Sequence, residues 1–374
     1  MAIKIQIMTD LLDKEYYINR CLELAARGGR RVRPNPHVGC VIVHNGEIIG
    51  EGYHEYYGGN HAEVNAINSV RDKNLLKEST LYVTLEPCSH WGKTPPCADL
   101  IIRCGIPHVV VGMIDPFVQV AGRGIAKLRE AGIKVECGVL ENKCKELNKD
   151  FIVYHTLKRP YTILKWAETA DGFIDNDRPA TEPAPWMTGE KCRELVHTWR
   201  AECDAIMVGT NTIERDNPRL TVRNADGQNP LRIIMDRTLR LAPKANVFDS
   251  EADTLIFTTK DNLTKCAELH PECEVEAIDF GENMLDELMK KLYERKITTL
   301  FVEGGTTLIN NLLAHNLWDE ARVFHSKLRV WELAGGSGTP ESGVRAPSLN
   351  LTADERSEID GTLLELFYNK NTIK

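Results

Sequence analysis

The sequence predicts an α/β protein built from two domains, and three observations predict it. The 374 residues exceed what a single hydrophobic core usually organises. Short apolar runs of strand length alternate with amphipathic runs of helical length, the pattern of helices packed on a largely parallel sheet. The alternation pauses near residue 147 and then starts afresh, which places the domains at residues 1–146 and 147–374.

In the first half, residues 13–27 (DKEYYINRCLELAAR) place Tyr17, Cys21, Leu24 and Ala25 on one face of a helix. GCVIVHNGEIIGEGY follows as two apolar runs joined by Asn45-Gly46, a type I′ hairpin signal. HAEVNAINSV reads as a helix, TLYVTLEP as a strand, CADLIIRCG as a helix and HVVVGMID as a strand. GRGIAKLREAG is a helix closed by Gly132, and IKVECGVL completes a three-layer unit ending near residue 146. ELNKDFIVYHTLKRP then reads as a helix crossing into the second domain.

The second series begins with the strand YTILKWAE and a helix around GEKCRELVHTWRAE. Strands DAIMVG, LRIIMD, TLIFTT and CEVEAIDF come next, then the helix MLDELMKKLYERK, the strand ITTLFVEGG and the helix TTLINNLLAHN. The last stretch holds the loop GGSGTPESG and closing strands.

Composition narrows the function classes. Hydrophobic content of 42% and charged content of 27% are those of a soluble globular protein. A net charge of −8 opposes a broad basic surface, so no nucleic-acid partner is expected. No run approaches the length of a membrane span, and an acidic residue interrupts the N-terminus before a signal sequence can form. Eleven scattered cysteines suit a reducing cytoplasm better than a disulfide framework.

The chemistry-bearing pattern of the first half is His61-x-Glu63 followed by Pro87-Cys88 and Cys97. Helical residues two apart point about 200° from each other, so His61 and Glu63 share a site only if His61 lies in the first turn of its helix, which the preceding YYGGN permits. His61, Cys88 and Cys97 make three metal ligands. A structural zinc takes four, whereas a catalytic zinc leaves one position to water. His54 and His90 are available as a fourth ligand, which keeps a structural zinc open. Glu63 favours the catalytic reading, because a carboxylate beside the metal moves the proton from water to a leaving amine. H-x-E with P-C is the pattern of zinc nucleobase deaminases, although eight residues rather than two separate these cysteines.

Those segments, with PNPHVGCVIV, GYHEYYGGNHAEVNA and DPFVQVAGRGI, resemble the deaminase half of the bifunctional riboflavin-biosynthesis deaminase-reductase family across most of residues 11–146. The resemblance implies a cytidine-deaminase-like α/β/α fold, one zinc ion per chain and a phosphoribosylamino-diaminopyrimidinone substrate. It implies that Asn35, His54, His90 and Lys93 surround the base and ribose phosphate, with Lys93 a cation for the phosphate.

The second half lacks the G-x-G-x-x-G dinucleotide fingerprint between strand and helix. Polar residues instead follow apolar strands: Lys165, Asp171-Gly172, Thr212, Asp216 and Arg223. VEGGTT, at a strand-to-helix junction, offers backbone N–H groups to an anion. RPYTILKWAETADGFI, APWMTG, HTWRAECDAIMVGTNTIERDNPRLTVR and LFVEGGTTLIN resemble the reductase half of the same family over residues 159–325. The resemblance implies a dihydrofolate-reductase-like fold and hydride transfer from NADPH that opens the ribose to a ribityl chain. It implies NADPH contacts from Ala167, Trp186, Thr212, Asp216, Gly305, Thr306, Thr307, Leu308, Ile309, Asn310 and Asn311. Ala184, Arg200, Leu220, Arg223 and Glu303 border the substrate on this reading, and Lys165 and Asp216 are the candidates for proton handling, with Glu63 in the other half.

Two positions depart from the family. Ala184 stands where the family has Ser, removing a substrate-facing hydroxyl unless Thr181 or Thr188 replaces it. Phe117 stands where a polar residue is common, and the sequence offers no physical account of it. The Ala184 departure leaves open a deaminase whose second domain does not reduce, and a nucleic-acid-editing deaminase is the reading from another class. Small phosphorylated pyrimidines are the expected partners, with no membrane contact, and a cytoplasmic homo-oligomer is expected.

Overall fold

In the computed structural model the chain divides into two compact units, Met1–Lys158 and Arg159–Lys374. The structure describes residues 2–91, 95–117, 121–176, 178, 182, 184–333 and 343–372, with side chains from residue 12 onward.

The first unit carries strands β1 (Gly39–His44), β2 (Glu47–Tyr53), β3 (Thr80–Leu85), β4 (His108–Met113) and β5 (Lys134–Cys137) in the order β2-β1-β3-β4-β5. Asn45 and Gly46 both take positive φ, 50° and 81°, the requirement of a type I′ turn. That two-residue turn makes β2 antiparallel to β1, and β1 is also antiparallel to β3. The sheet is therefore mixed, and only β3, β4 and β5 run parallel.

Alternation along β1 divides its side chains between two cores. Cys40 and Ile42 face a cluster with Ala62, Ala66, Ala98, Ile101, Ile125 and Leu128 from helices Ala62–Ser69, Cys97–Cys104 and Arg123–Glu130. Val41 and Val43 face Tyr17, Ile18, Cys21 and Leu24 of helix Ala2–Ala26, with Cys144 and Ile152 beside them. Three layers result. Gly52 sets how near the Ala62–Ser69 helix lies to the sheet, since a Cβ there would stand 2.3 Å from the Ala66 nitrogen.

The helix Lys149–Leu157 belongs to this first unit and not to the second domain in which a boundary at residue 147 would place it. Asn148, just ahead of it, is buried and grips the His37 backbone twice, accepting from its N–H at 2.8 Å and donating to its carbonyl at 3.0 Å. Arg33 donates to Asp150 at 2.8 Å. Sequence periodicity registers a helix here but not these long-range polar contacts.

The second unit carries β6 (Tyr161–Glu168), β7 (Phe173–Asn176), β8 (Ala205–Met207), β9 (Leu231–Met235), β10 (Thr254–Thr258), β11 (Glu274–Ala277), β12 (Thr299–Glu303), β13 (Glu320–His325), β14 (Gly343–Arg345), β15 (Glu355–Ile359) and β16 (Thr362–Tyr368). Nine form one sheet in the order β11-β10-β9-β8-β12-β6-β13-β16-β15, parallel from β11 to β13 and antiparallel through β16 and β15. β7 and β14 pair separately as a short ribbon. Leu164, Trp166, Met207, Ile233, Leu300 and Val302 pack beneath Leu288 and Leu292 of helix Met284–Glu294 and Ile309 and Leu312 of helix Thr306–Ala314. Arg159 holds the start of β6 to the start of β13 through a buried two-point pair with Asp319, at 2.5 and 2.8 Å. The carboxyl ends of β6, β8 and β12 meet where a parallel sheet ordinarily receives its ligand.

Candidate active sites

His61 is the residue just before helix Ala62–Ser69, in an extended conformation (φ −70°, ψ 159°). This removes the angular conflict with Glu63, because His61 is not yet on the helical wheel. Cys97 opens helix Cys97–Cys104, and Cys88 lies in the loop after β3. The His61 Nδ1 stands 3.5 Å from the Cys88 sulfur and 3.3 Å from the Cys97 sulfur. Ligand atoms around a tetrahedral zinc with ordinary bond lengths lie roughly 3.5 Å apart, so this donor set fits the ion. The Cys97 backbone N–H also donates to the Cys88 sulfur at 3.3 Å. The Cys97 thiol, then His61 and that N–H bond, outweigh burial and hold the Cys88 thiol well below its ordinary range. Its hydrogen bond with Cys88 lifts His61 to about 9.

Glu63 is buried and lines the same cavity, of about 250 Å³, and burial pushes its carboxyl up to about 7. Asn35, His54 and His90 line it too. The Asn60 carbonyl, 2.9 Å from His54 Nδ1, requires a proton there, so Nε2 accepts from Asn35 Nδ2 at 3.1 Å. Lys93 lies outside the described residues.

Sequence reasoning missed Glu86. Its buried carboxylate accepts the backbone N–H groups of Asp115, Gly122, Gly124 and Ile125 at 2.9 to 3.3 Å. It thereby joins the loop of Cys88 to the turn after β4 and to the start of helix Arg123–Glu130. Gly124 is required there, since its Cβ would fall 1.9 Å from the Pro87 carbonyl. A glutamate wedged between an apolar strand and Pro-Cys was the available signal. Asp115, Phe117, Phe151 and His155 also line the cavity, and burial pushes Asp115 up to about 6.

A second cavity, of about 390 Å³, opens at the ends of β6, β8 and β12. Lys165 and Glu303 are register partners on adjacent strands. Arg200 reaches both carboxylate oxygens of Glu303, at 2.6 and 2.9 Å. Burial opposes the charge of Glu303, yet Arg200 more than offsets it and holds the carboxyl below its usual range. Burial lowers Lys165, with Glu303 acting against the shift. Ala167, Ala184, Thr212, Asp216, Leu220 and Thr306 line this cavity as well. Gly305 and Thr307 line both it and a neighbouring cavity of about 490 Å³, to which Leu308 and Asn311 also contribute.

Four predicted residues stand apart from these cavities. Trp186 is 72% exposed, with the Arg193 guanidinium 4.6 Å from its ring centre. Ile309 is buried in the hydrophobic core. Asn310 accepts the Ser348 N–H, and the Arg223 guanidinium donates to the Thr221 hydroxyl. Thr188 accepts from Arg193 through its carbonyl, and Thr181 lies outside the described residues. Asp171 anchors a turn, accepting from Thr169 and from the Val330 N–H. Arg178, unremarked in the sequence, lines the second cavity and is paired with Asp216 and Asp175.

Two family models match the chain: the cytidine and deoxycytidylate deaminase zinc-binding region over residues 12–113, and the RibD C-terminal domain over residues 160–361. The riboflavin biosynthesis protein RibD of Aquifex aeolicus is 42% identical over 362 residues, 96% of this chain and 99% of the relative. That of Escherichia coli is 38% identical over 331 residues, 84% of this chain and 87% of the relative. The crystal structure of the diaminohydroxyphosphoribosylaminopyrimidine deaminase/5-amino-6-(5-phosphoribosylamino)uracil reductase of Thermotoga maritima superposes with a TM-score of 0.81 at 38% identity, covering 96% of this chain and 99% of that one. Acinetobacter baumannii RibD superposes equally well, at 30% identity. With a metal-fitting triad and its glutamate in one unit and a polar cavity at the strand ends of the other, the chain belongs to the RibD family of bifunctional riboflavin-biosynthesis deaminase-reductases.

Proposed function

We propose that the cavity beside His61, Cys88 and Cys97 is where this chain releases ammonia from a phosphorylated diaminopyrimidine, and that the strand-end cavity of the second unit is where the ribosyl group of the deaminated product is reduced. The observation that carries the first assignment is that His61 and Cys88, two members of a cluster of three metal ligands completed by Cys97, line the same cavity as one spare buried carboxylate, Glu63. Zinc held there supplies Lewis-acid activation of water. Glu63 takes the proton of that water on a carboxylate oxygen and delivers it to the departing amine. Asn35 and His54, locked to each other, present a fixed edge to the base, and the exposed His90 lines the same cavity.

In the second unit NADPH supplies the hydride when bound. Thr212, Gly305, Thr306 and Thr307 would hold it at the cavity rim. Lys165, Arg200 and Glu303 form one charged group, on our reading facing the sugar, and to Lys165 and Asp216, which line the same cavity, we assign the ring-opening proton. Eleven free cysteines support a cytoplasmic setting. No described helix is long and apolar enough to cross a membrane. The exposed strand β15 at the sheet edge supports pairing into a homo-oligomer.

The test is Glu63→Gln. Metal analysis is expected to find zinc retained while ammonia release is lost; continued deamination would overturn the assignment of Glu63. For the second unit, NADPH oxidation is followed with the deaminated intermediate, and no turnover at saturating substrate would remove the reductase assignment.

A further inference from the structure

His155 sits on helix Lys149–Leu157 of the first unit, one helical turn after Phe151, so the two rings share a face. Its imidazole touches Phe151 at 4.4 Å between ring centres, Phe117 at 5.1 Å and Tyr154 at 5.1 Å. It makes no hydrogen bond to any described residue, and Nδ1 is sealed from solvent. Buried polar atoms nearly always have a partner, and leaving one without costs about as much as a lost hydrogen bond. Nδ1 is out of a ligand's reach, but the half-buried ring lines the ligand cavity and its Nε2 is not among the sealed atoms, so that edge is the one open to a ligand group. Burial, with Lys158 adding to it, holds the ring neutral by lowering it to about 4. A neutral ring among aromatic side chains is a poor receptor for a phosphate dianion and a good one for an amide or hydroxyl group.

We infer that His155 is a further specificity-determining residue of the deaminase. Its ring edge hydrogen-bonds an uncharged polar group of the bound pyrimidine nucleotide, whose flat part packs against Phe117 and Phe151. The inference rests on assigning this cavity to deamination. It also accounts for Phe117, the residue whose departure from the family had no explanation in sequence: an aromatic ring there completes the wall on which His155 leans.

The experiment measures ammonia release by the zinc-loaded full chain carrying His155→Phe, which keeps the ring and removes both nitrogens. KM is expected to rise about 3- to 10-fold, by more than kcat changes, which is the worth of one neutral hydrogen bond. His155→Gln, whose amide can donate and accept, is expected to return KM to within about 2-fold. The rise should be equal for the dephosphorylated substrate. An unchanged KM in H155F, or an H155Q as weak as H155F, overturns the assignment. An effect that vanishes without the phosphate overturns the uncharged target. Zinc content and NADPH oxidation report on folding. If H155F loses zinc, H155N, polar but shorter, carries the same expectation of a raised KM. Failure of the cavity assignment is distinguishable, because it appears as ammonia release by E63Q whatever His155 does.

Discussion

Arg200 grips Glu303 in a two-point fork, Nε to Oε1 at 2.6 Å and Nη2 to Oε2 at 2.9 Å, and its Nη1 donates to the Thr221 carbonyl at 3.0 Å. Both residues were read from sequence as separate substrate contacts, yet they reach the cavity as one fixed unit. The arrangement orients the Glu303 carboxylate and leaves Arg200 little capacity to bind anything else. Arg200→Lys keeps the charge but breaks the fork. Losing one charge-assisted hydrogen bond is worth about 1.5–3 kcal/mol, so reductase kcat/KM should fall about 10- to 100-fold while ammonia release is unaffected. Arg200→Met leaves Glu303 buried without its fork, with Lys165 the remaining cation beside it, and should cost about 1.5–3 kcal/mol of stability in denaturant unfolding.

Arg178 is nearly fully buried and bonds Asp175 at 2.9 Å, Asp216 and the Glu182 carbonyl. It ties β7 and the segment after it to the end of helix Thr210–Asp216, and fixes Asp216 beside the cavity. Arg178→Met should free that carboxylate. The expected result is a higher KM for NADPH, by roughly 5- to 20-fold, since about 1–2 kcal/mol of positioning is lost with a partly exposed partner. Stopped-flow NADPH oxidation measures it, and an unchanged KM would deny Asp216 a part in holding the cofactor.

What the sequence revealed and concealed follows a physical line. Period-2 and period-3.6 patterns are local, so most strands and the helices that follow His61 and begin at Cys97 were legible, whereas the short β7 and the central β13 were not. The metal triad was legible because His61 precedes its helix and Cys97 begins one, positions that turn chemistry marks. Glu86, Arg178 and His155 were not, because their meaning lies in partners far along the chain. The boundary at residue 147 shifted to Lys158 for the same reason: Asn148 and Asp150 look like surface polar residues until His37 and Arg33 stand opposite them. Trp186 and Ile309 show the converse. Their motif matches the family, but one is exposed and the other is core.

Gly124 permits the close approach of helix Arg123–Glu130 to the Pro87 carbonyl, one residue before a metal ligand. Gly124→Ala must push the Cys88 loop outward by more than an ångström, because backbone rather than a flexible side chain stands in the way. Zinc affinity should fall by about 10- to 100-fold, the range seen when groups supporting a metal site are disturbed. Competition with a chromogenic chelator measures it. NADPH oxidation should persist, and zinc binding equal to the unaltered chain would show that the loop accommodates the methyl group.

His325 stands between two carboxylates, Nδ1 at 3.1 Å from Glu168 and Nε2 at 2.9 Å from Glu365. The second contact is out of hydrogen-bond alignment, so its attraction is chiefly coulombic. Glu168 also accepts from Trp166, which locks the group across β6, β13 and β16. The hydrogen bond to Glu168 raises His325 above its ordinary value. A raised histidine binds its proton more tightly in the folded state, so folding gains from it below the ordinary value near 6.5. The gain disappears as the pH climbs through the raised folded value. His325→Gln should therefore destabilise the second unit at about pH 6, by up to about 1 kcal/mol for partly exposed ion pairs, and hardly at all at about pH 9. Hydrogen exchange at the β13 amides reads that difference locally. A deficit that grows with pH would mean that His325 is held neutral between its two glutamates.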